Sequence, residues 1–148
     1  MQLEALAATV TPEQASAIEV PSLPLVKDAS GLWQTDWTPL IPLLLDAHTP
    51  PPQRAYLFHA CIADNILQTA RLMRDMHGDF ALGLTGGVFQ NRLLTEMCSH
   101  LLSKHSFRYY IPETIPVNDG GLCFGQVIEA HALSIYDALS SRHFVTGR

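Results

Sequence analysis

The sequence predicts a single domain of the α/β class, and three observations support this. The chain has 148 residues, which is the length of one ordinary domain. Beyond residue 50, helical and strand patterns alternate, as is typical of a parallel sheet covered by helices. Hydrophobic residues make up 47% of the chain and charged residues 16%, so the composition is that of a packed protein.

The charged fraction lies below the roughly 25% of ordinary soluble domains. We therefore expect another piece of protein to cover part of the surface. The formal net charge of −5 and the lack of a basic run argue against nucleic acid and anionic membrane as partners. The three cysteines are scattered through apolar runs, as reduced and buried thiols would be in a cytoplasmic protein. No run is long and apolar enough to cross a membrane.

Residues 1–50 are predicted to form an N-terminal segment of short helices and a hairpin. Residues 2–8 favour a helix, and Thr11 caps a second one whose first turn contains proline. Short strands are predicted at residues 17–20, 25–27 and 32–35, the last two joined as a hairpin. A helix follows to about residue 47, and the prolines at 50–52 indicate a stiff break and a subdomain boundary.

Residues 51–139 are predicted to form the α/β core, with residues 140–148 as a C-terminal tail. Phe58, Ile62, Ile66, Ala70 and Met73 recur at helical spacing in a long amphipathic helix that ends at Gly78. Further elements are predicted as a strand at 80–84, a helix at 88–104, a strand at 107–111 and a last helix from 118 to about 139.

The first candidate site is the bend Thr85-Gly86-Gly87, between a predicted strand and a predicted helix. Ligands bind at this position in open α/β sheets. Adjacent glycines let the backbone approach a ligand, and free N–H groups at a helix start attract phosphate or carboxylate. Asn91, one turn into the helix, offers an amide to a ribose or a base. The bend matches neither the dinucleotide-binding motif nor a P-loop, so a plain turn is the alternative.

The second candidate site is Asn118-Asp119-Gly120-Gly121, at the start of the last predicted helix. Asp119 places a carboxylate there, and hard cations prefer carboxylate oxygens. Aspartate is also a favoured helix cap, so a plain cap is the alternative. Gly121 and Gly125 share a helix face, which suits close packing against another element or a nucleotide.

The histidines and cysteines favour structural roles. None of the seven histidines lies four residues from another, which excludes a His-x-x-x-His metal site on one helix. His59 lies on the apolar side of the long helix and is predicted to be a hydrogen-bonded core or interface residue. Cys98 lies mid-helix among leucines, which predicts an inert thiol.

Two long motifs resemble one known family. Residues 84–94 read LTGGVFQNRLL, and residues 116–126 read PVNDGGLCFGQ. In this order and spacing, both are similar to the carboxyl-terminal end of the HypF carbamoyltransferases of NiFe-hydrogenase maturation. Phe58-His59 and residues 2–7 also resemble that family, so the resemblance covers essentially the whole chain.

The resemblance implies the second half of a carbamoyltransferase domain, with a partial actin-like and Hsp70-like (ribonuclease H-like) ATPase fold. It implies a role in moving the carbamoyl group of carbamoyl-adenylate, made from carbamoyl phosphate and ATP, to the C-terminal cysteine of a partner, HypE. It also implies that ATP or carbamoyl-adenylate contacts Thr85, Gly86, Gly87, Asn91, Gly120 and Gly121. Asp119 would hold a divalent metal ion.

The chain also departs from the family pattern. It shows no counterpart of the family's acylphosphatase-like, zinc-finger and adenylate-forming domains. The first half of the transferase domain, which supplies a His-x-x-x-His metal pair, is missing as well. Thr85 stands where serine is usual, and Cys123 and Phe124 replace smaller or aliphatic residues. We therefore expect the chain to supply one carboxylate to a metal site that needs three ligands. We also expect negligible activity of the isolated chain.

An alternative is a catalytically inactive half-domain that keeps nucleotide or partner contacts and self-associates through its uncovered face. The transferase interpretation requires the two glycine-bearing bends to lie side by side at one rim of the same sheet.

Overall fold

A computed structural model describes the backbone of residues 2–143 and the side chains of residues 2–136. The elements in chain order are α1 (Gln2–Ala7), α2 (Pro12–Ser16), β1 (Leu25–Lys27), β2 (Trp33–Thr35), α3 (Leu40–Leu45), α4 (Pro51–His77), β3 (Ala81–Gly83), α5 (Arg92–Lys104), β4 (Arg108–Tyr110) and α6 (Leu122–His143). Short 3₁₀ turns span Gly87–Gln90 and Asp119–Gly121. The chain has the mixed α/β character that the sequence predicts.

The N-terminal elements follow the predicted order with one exception. Thr11 caps α2 in a capping box with Gln14, and β1 pairs with β2 as an antiparallel hairpin. The strand predicted at residues 17–20 is wrong: Ala17 ends α2, and the residues after it lie in irregular structure. The described strands β1 and β2 pair with each other, so this apolar run has no neighbouring strand to join.

The three prolines begin α4 and do not mark a break in the fold. Pro50 precedes the helix, while Pro51 and Pro52 lie in its first turn. A first-turn proline loses no intrahelical hydrogen bond, because the N–H groups of that turn have no partner within the helix. The helices α1, α2 and α3, which precede these prolines, all pack against α4.

α4 is the central helix of the structure, and Gly78 ends it with a φ of +80°. Its buried residues are Ala55, Leu57, His59, Cys61, Ala63, Leu67 and Ala70. The predicted apolar row contacts the core: Ala70 is buried, and Phe58, Ile62 and Ile66 are half-buried and pack against buried clusters. α4 packs against α1, α2 and α3 as well as α5, so more than one of its faces is covered.

The main core lies between α4, α5 and the two parallel strands. β3 and β4 pair in parallel, with Leu82 opposite Tyr109, as predicted. The predicted row Leu94-Cys98-Leu102 of α5 is fully buried. The cluster comprises Ala63, Leu67, Ala70, Leu84, Leu94, Cys98, Leu102 and Phe107. This packing fixes the carboxyl ends of β3 and β4 next to each other.

The last helix differs from the others in exposure. Every side chain from Leu122 to Tyr136 is exposed, including apolar ones such as Val127, at 65%. α6 continues to His143, past its predicted end near residue 139, because no glycine or proline interrupts it there. Residues 140–143 of the predicted tail thus belong to α6, and residues 144–148 lie outside the described residues. No described helix is long and apolar enough to cross a membrane.

Candidate functional site

The first glycine bend follows directly from β3. The Leu84 N–H donates to the Tyr110 carbonyl oxygen at 2.9 Å, which extends the parallel pairing by one residue. At Gly86 the chain turns with a φ of +104°, a conformation that glycine adopts without strain. A 3₁₀ turn then leads to Asn91, the N-cap of α5. The helix predicted from residue 88 therefore begins at Arg92, because this turn occupies the preceding residues.

The second bend lies beside the first one. The Gly86 N–H donates to the Val117 carbonyl oxygen, and the Thr85 hydroxyl lies 3.4 Å from the same oxygen. A Cβ placed on Gly87 would lie 3.9 Å from the Cβ of Asn118. The requirement that the two bends share one rim of the sheet is therefore confirmed.

The two bends line one open cleft of about 500 Å³, a volume within the range of small-molecule sites. Its lining comprises Thr85, Gly86, Pro112, Ile115, Pro116, Val117, Asn118, Asp119, Gly121, Leu122, Gly125, Gln126 and Glu129. One side is formed by the bends and the loop after β4, and the other by the first turns of α6.

Four of the seven predicted site residues line this cleft, namely Thr85, Gly86, Asp119 and Gly121. Gly87, Asn91 and Gly120 are not part of its lining. Their roles toward a nucleotide stay predictions, as do those of the four lining residues.

Asn91 has partners within the chain for both ends of its side chain. Its oxygen accepts the Leu94 N–H at 3.0 Å, and its Nδ2 donates to His59 Nε2 at 2.7 Å. His59 Nδ1 lies 2.7 Å from the carbonyl oxygen of Ala55, so a ring with its proton on Nδ1 satisfies both contacts. The prediction of a hydrogen-bonded core histidine is confirmed, since His59 is 2% exposed.

The start of α5 differs from the expectation of free N–H groups. Glu4, on α1, accepts the N–H groups of Arg92 and Leu93 at 2.7 and 3.4 Å. The Leu94 N–H donates to the Asn91 side chain, so three N–H groups in the first turn of α5 have acceptors. The expectation that this helix start attracts phosphate through free N–H groups is therefore wrong, because a carboxylate of the chain itself lies there. The sequence gives no signal for this contact between distant residues.

The second bend depends on glycine for steric reasons. Asn118 caps the 3₁₀ turn by accepting the Gly120 N–H at 3.0 Å, so the cap is Asn118 and not Asp119. A Cβ on Gly121 would lie 2.6 Å from the carbonyl oxygen of Pro116, closer than real atoms approach. In contrast, a Cβ on Gly125 would meet no atom within 4 Å. Gly121 therefore packs closely, as predicted, while Gly125 lines the cleft with open space around it.

Asp119 is exposed and lines the cleft. Glu129 and Gln126 also line it. Neither was predicted from the sequence, although their spacing from Leu122 and Gly125 places them on the same helix face. Among the described residues, no group of three or more His, Cys, Asp or Glu side chains is placed to hold a metal ion. Asp119 thus offers one carboxylate and not a complete cation site.

The cysteine thiols lie outside the cleft lining. Burial raises the pKa of Cys98 to about 11, which confirms the predicted inert thiol. Burial, and then the nearby Asp64 carboxylate, raise the pKa of Cys61 to about 11 as well. Cys123 is exposed, so the expectation of three buried thiols is wrong for this one. Its position on α6, whose described side chains are all exposed, is the reason.

A glycine bend after a parallel strand, joined to an Asn-Asp-Gly-Gly bend over one cleft, defines an α/β domain with an open cleft at the carboxyl end of its sheet, where α/β proteins commonly bind ligands. The sequence profile of a family described as "Carbamoyltransferase, Kae1-like Domain, second subdomain" matches residues 1–126. The chain belongs to the HypF carbamoyltransferase family.

Individual relatives agree with this assignment. The chain is 36% identical to "Carbamoyltransferase HypF" of Rhodobacter capsulatus over 132 residues, and 32% identical to "Probable carbamoyltransferase HypF" of Methanocaldococcus jannaschii over 72 residues. These alignments cover 89% and 49% of this chain. A crystal structure of full-length HypF in a phosphate- and nucleotide-bound form has the same fold, with a TM-score of 0.76 at 24% identity over 89% of this chain.

The chain spans a small part of each relative. It covers 16% of the Rhodobacter protein, 9% of the Methanocaldococcus protein and 20% of the crystallised chain. The chain is therefore similar to one subdomain of these longer relatives.

Proposed function

We propose that the cleft binds the adenosine and phosphate portion of carbamoyl-adenylate, formed from carbamoyl phosphate and ATP. In this proposal the chain is the second half of a cytoplasmic transferase domain that passes the carbamoyl group to the C-terminal cysteine of HypE. The bond from the carbamoyl carbon to the adenylate phosphate oxygen breaks, the cysteine sulfur bonds the carbamoyl carbon, AMP leaves, and the thiol proton passes to solvent. Membership of the HypF family supports the reaction class.

The observation that carries the proposal is the contact between the two glycine bends. The hydrogen bond from Gly86 to Val117 places Thr85 and Asp119 in the lining of one cleft. Apolar side chains of Ile115 and Leu122 offer a surface for a base, and the Thr85 hydroxyl offers a donor for a phosphate or ribose oxygen. The volume of about 500 Å³ is sufficient for a nucleotide.

A divalent metal ion is part of the family's proposed chemistry, and the described residues do not form a complete site for one. Asp119 supplies a carboxylate, and Glu129 lines the same cleft, but no group of three suitable side chains is present among the described residues. A single exposed carboxylate holds a divalent ion weakly. We propose that the remaining ligands come from the other half of the transferase domain, and that the chain alone is inactive.

A second candidate function is a catalytically inactive half-domain that binds a protein partner or a second copy of itself. The exposed apolar surface of α6 favours this function. Leu122, Val127 and Tyr136 are 64%, 65% and 69% exposed, and a helix with exposed apolar residues on every side is typical of one that another element covers.

The test is nucleotide binding with a variant that fills the cleft. Gly125→Leu adds a side chain to a residue of the cleft lining, and no atom lies within 4 Å of the new Cβ, so the substitution narrows the cleft with no clash at that atom. Ala130→Leu adds the same side chain to α6 at an exposed position outside the cleft lining. Calorimetric titrations with AMP and ATP, each with and without Mg²⁺, compare both variants with the parent chain.

We expect the parent chain and Ala130→Leu to bind AMP with equal dissociation constants. We expect Gly125→Leu to bind it at least tenfold more weakly, because its leucine occupies space that the nucleotide needs. Absence of nucleotide binding by the parent chain would contradict the proposal. Self-association in the same samples, measured by analytical ultracentrifugation, would then favour the second candidate function.

A further inference from the structure

Four basic side chains, which we call the basic corner, gather near the carboxyl ends of α4 and α5. Arg71 and Arg74 belong to α4, while Lys104 ends α5 and His105 is its C-cap. Arg71 Nη2 lies 3.0 Å from His105 Nδ1 and 3.1 Å from its Nε2. Arg74 Nη1 donates to the His105 carbonyl oxygen at 3.3 Å. Two guanidinium groups are therefore held against one residue, and none of the four residues lines the cleft.

The two arginines lack a negative partner. Within the part of the chain that the structure describes, neither forms an ion pair with a carboxylate. Asp75 directly follows Arg74 and lies four residues from Arg71, at the spacing of a helical ion pair, yet it pairs with neither. Neighbouring cations without a counter-ion repel each other. The basic corner therefore holds an unmatched positive charge, although the net charge of the chain is −5.

The ionisation of His105 reflects the same excess of positive charge. Partial burial is the first cause that lowers its pKa from the ordinary value, and the next causes are the positive charges of Arg71, Lys104 and Arg74. Asp64 acts in the opposite direction and has the smallest effect. A neutral His105 ring accepts a hydrogen bond from Arg71, whereas a protonated ring has no acceptor.

The guanidinium groups are fixed in place and still have free donors. Cζ of Arg74 lies 4.0 Å from the centre of the Phe107 ring, and an aromatic ring beneath a guanidinium leaves N–H groups for other partners. Each guanidinium has five N–H donors, and one nitrogen of each contacts His105. Among the described residues, the buried side-chain nitrogens without a partner belong to Arg54 and Asn65. The remaining donors of Arg71 and Arg74 therefore reach solvent.

Helix capping accounts for only part of this arrangement. The carbonyl oxygens of Leu101, Leu102 and Ser103 already accept backbone N–H groups of residues 105–107, which ends α5 in a Schellman motif. Arg74 adds a bond to the next free carbonyl oxygen, that of His105. Arg71 contacts the His105 ring and no backbone carbonyl of the described residues, so the cap does not need its charge.

We propose that the basic corner binds a phosphate group, with Arg71 and Arg74 donating to its oxygens and Lys104 adding a third positive charge. Two guanidinium groups can share the oxygens of a tetrahedral phosphate, and charge-assisted hydrogen bonds of this kind are among the strongest in proteins. A carboxylate offers two oxygens in one plane and a single negative charge, so it matches two guanidinium groups less well. The proposal does not depend on what the cleft binds.

The test is an NMR titration of the isotope-labelled chain with inorganic phosphate, at constant ionic strength balanced with chloride. The Nε–H resonances of Arg71 and Arg74 and the ring resonances of His105 report the basic corner, while the amide of Gly86 reports the cleft. We expect saturable shifts at the basic corner with a dissociation constant in roughly the millimolar range. Acetate, which carries a carboxylate, is expected to bind there at least tenfold more weakly.

Arg71→Gln removes one guanidinium group, and we expect it to weaken phosphate binding at the basic corner at least fivefold. Arg92→Gln removes a positive charge from an exposed position at the other end of α5, so it controls for net charge and should leave the affinity unchanged. Absence of saturable shifts at the basic corner, equal affinity for acetate, or equal effects of the two variants would overturn the proposal. The acetate comparison uses the parent chain and needs no variant to fold.

Methyl phosphate distinguishes the two sources of such a group, a phosphate ester and free phosphate. Tighter binding of methyl phosphate than of inorganic phosphate at the same resonances supports the site with an ester as its natural ligand. Binding of methyl phosphate that is no tighter supports the site with free phosphate.

Discussion

Replacing Gly121 with alanine tests the steric basis of the second bend. The new Cβ would lie 2.6 Å from the carbonyl oxygen of Pro116 and 3.2 Å from Cγ2 of Ile115. The first contact involves backbone, so the loop before the bend must shift to relieve it. Overpacking of this kind costs about 1–3 kcal/mol. For a chain of this length that corresponds to a melting temperature lowered by about 3 to 9 °C.

The matched control is Gly125→Ala, in the first turns of α6 and also in the cleft lining. Its Cβ meets no atom within 4 Å, and replacing a helical glycine with alanine stabilises by about 0.5–1 kcal/mol. Thermal unfolding followed by circular dichroism, supported by urea titration, measures both variants beside the parent chain. We expect Gly121→Ala to melt below the parent chain and Gly125→Ala at or above it. Equal melting temperatures of Gly121→Ala and the parent chain would contradict a steric requirement for glycine at this position.

Two further predictions concern the thiols and the start of α5. Because the pKa values of Cys61 and Cys98 are raised to about 11, about one part in a thousand of each is thiolate at pH 8. Iodoacetamide should therefore modify Cys123 alone in the folded chain, as peptide mass spectrometry would show; equal modification of Cys98 would contradict this. Glu4→Ala removes the acceptor at the start of α5 and should cost about 1 kcal/mol of unfolding free energy. Glu4→Gln, which keeps an oxygen, should lose less, and unchanged stability of Glu4→Ala would count against the contact.

The shared position of the two bends could be predicted from the sequence. Each bend comes after a short apolar strand, and the carboxyl ends of parallel strands meet at one edge of a sheet. The buried row Leu94-Cys98-Leu102 was predictable for a similar reason, because helical spacing alone defines it. Both results depend on local pattern and on a general rule of α/β topology.

The contacts that the sequence did not predict join distant parts of the chain. Glu4 reaches the start of α5, and His59 on α4 reaches Asn91. Nothing in local spacing pairs such residues, because tertiary packing decides which side chain fills a helix start. The burial of α4 on several sides also depends on where α1, α2 and α3 pack, which periodicity within α4 does not reveal.

Hydrogen–deuterium exchange of the chain with and without AMP tests whether the two glycine bends bind one nucleotide together. If both glycine bends line one nucleotide site, AMP should slow exchange in the peptide containing Thr85 to Gly87 and in the peptide containing Asn118 to Gly121. The peptides of α1 and of the hairpin, which lie outside the cleft lining, should be unaffected. Protection of only one bend, or of neither at saturating AMP, would contradict a shared site.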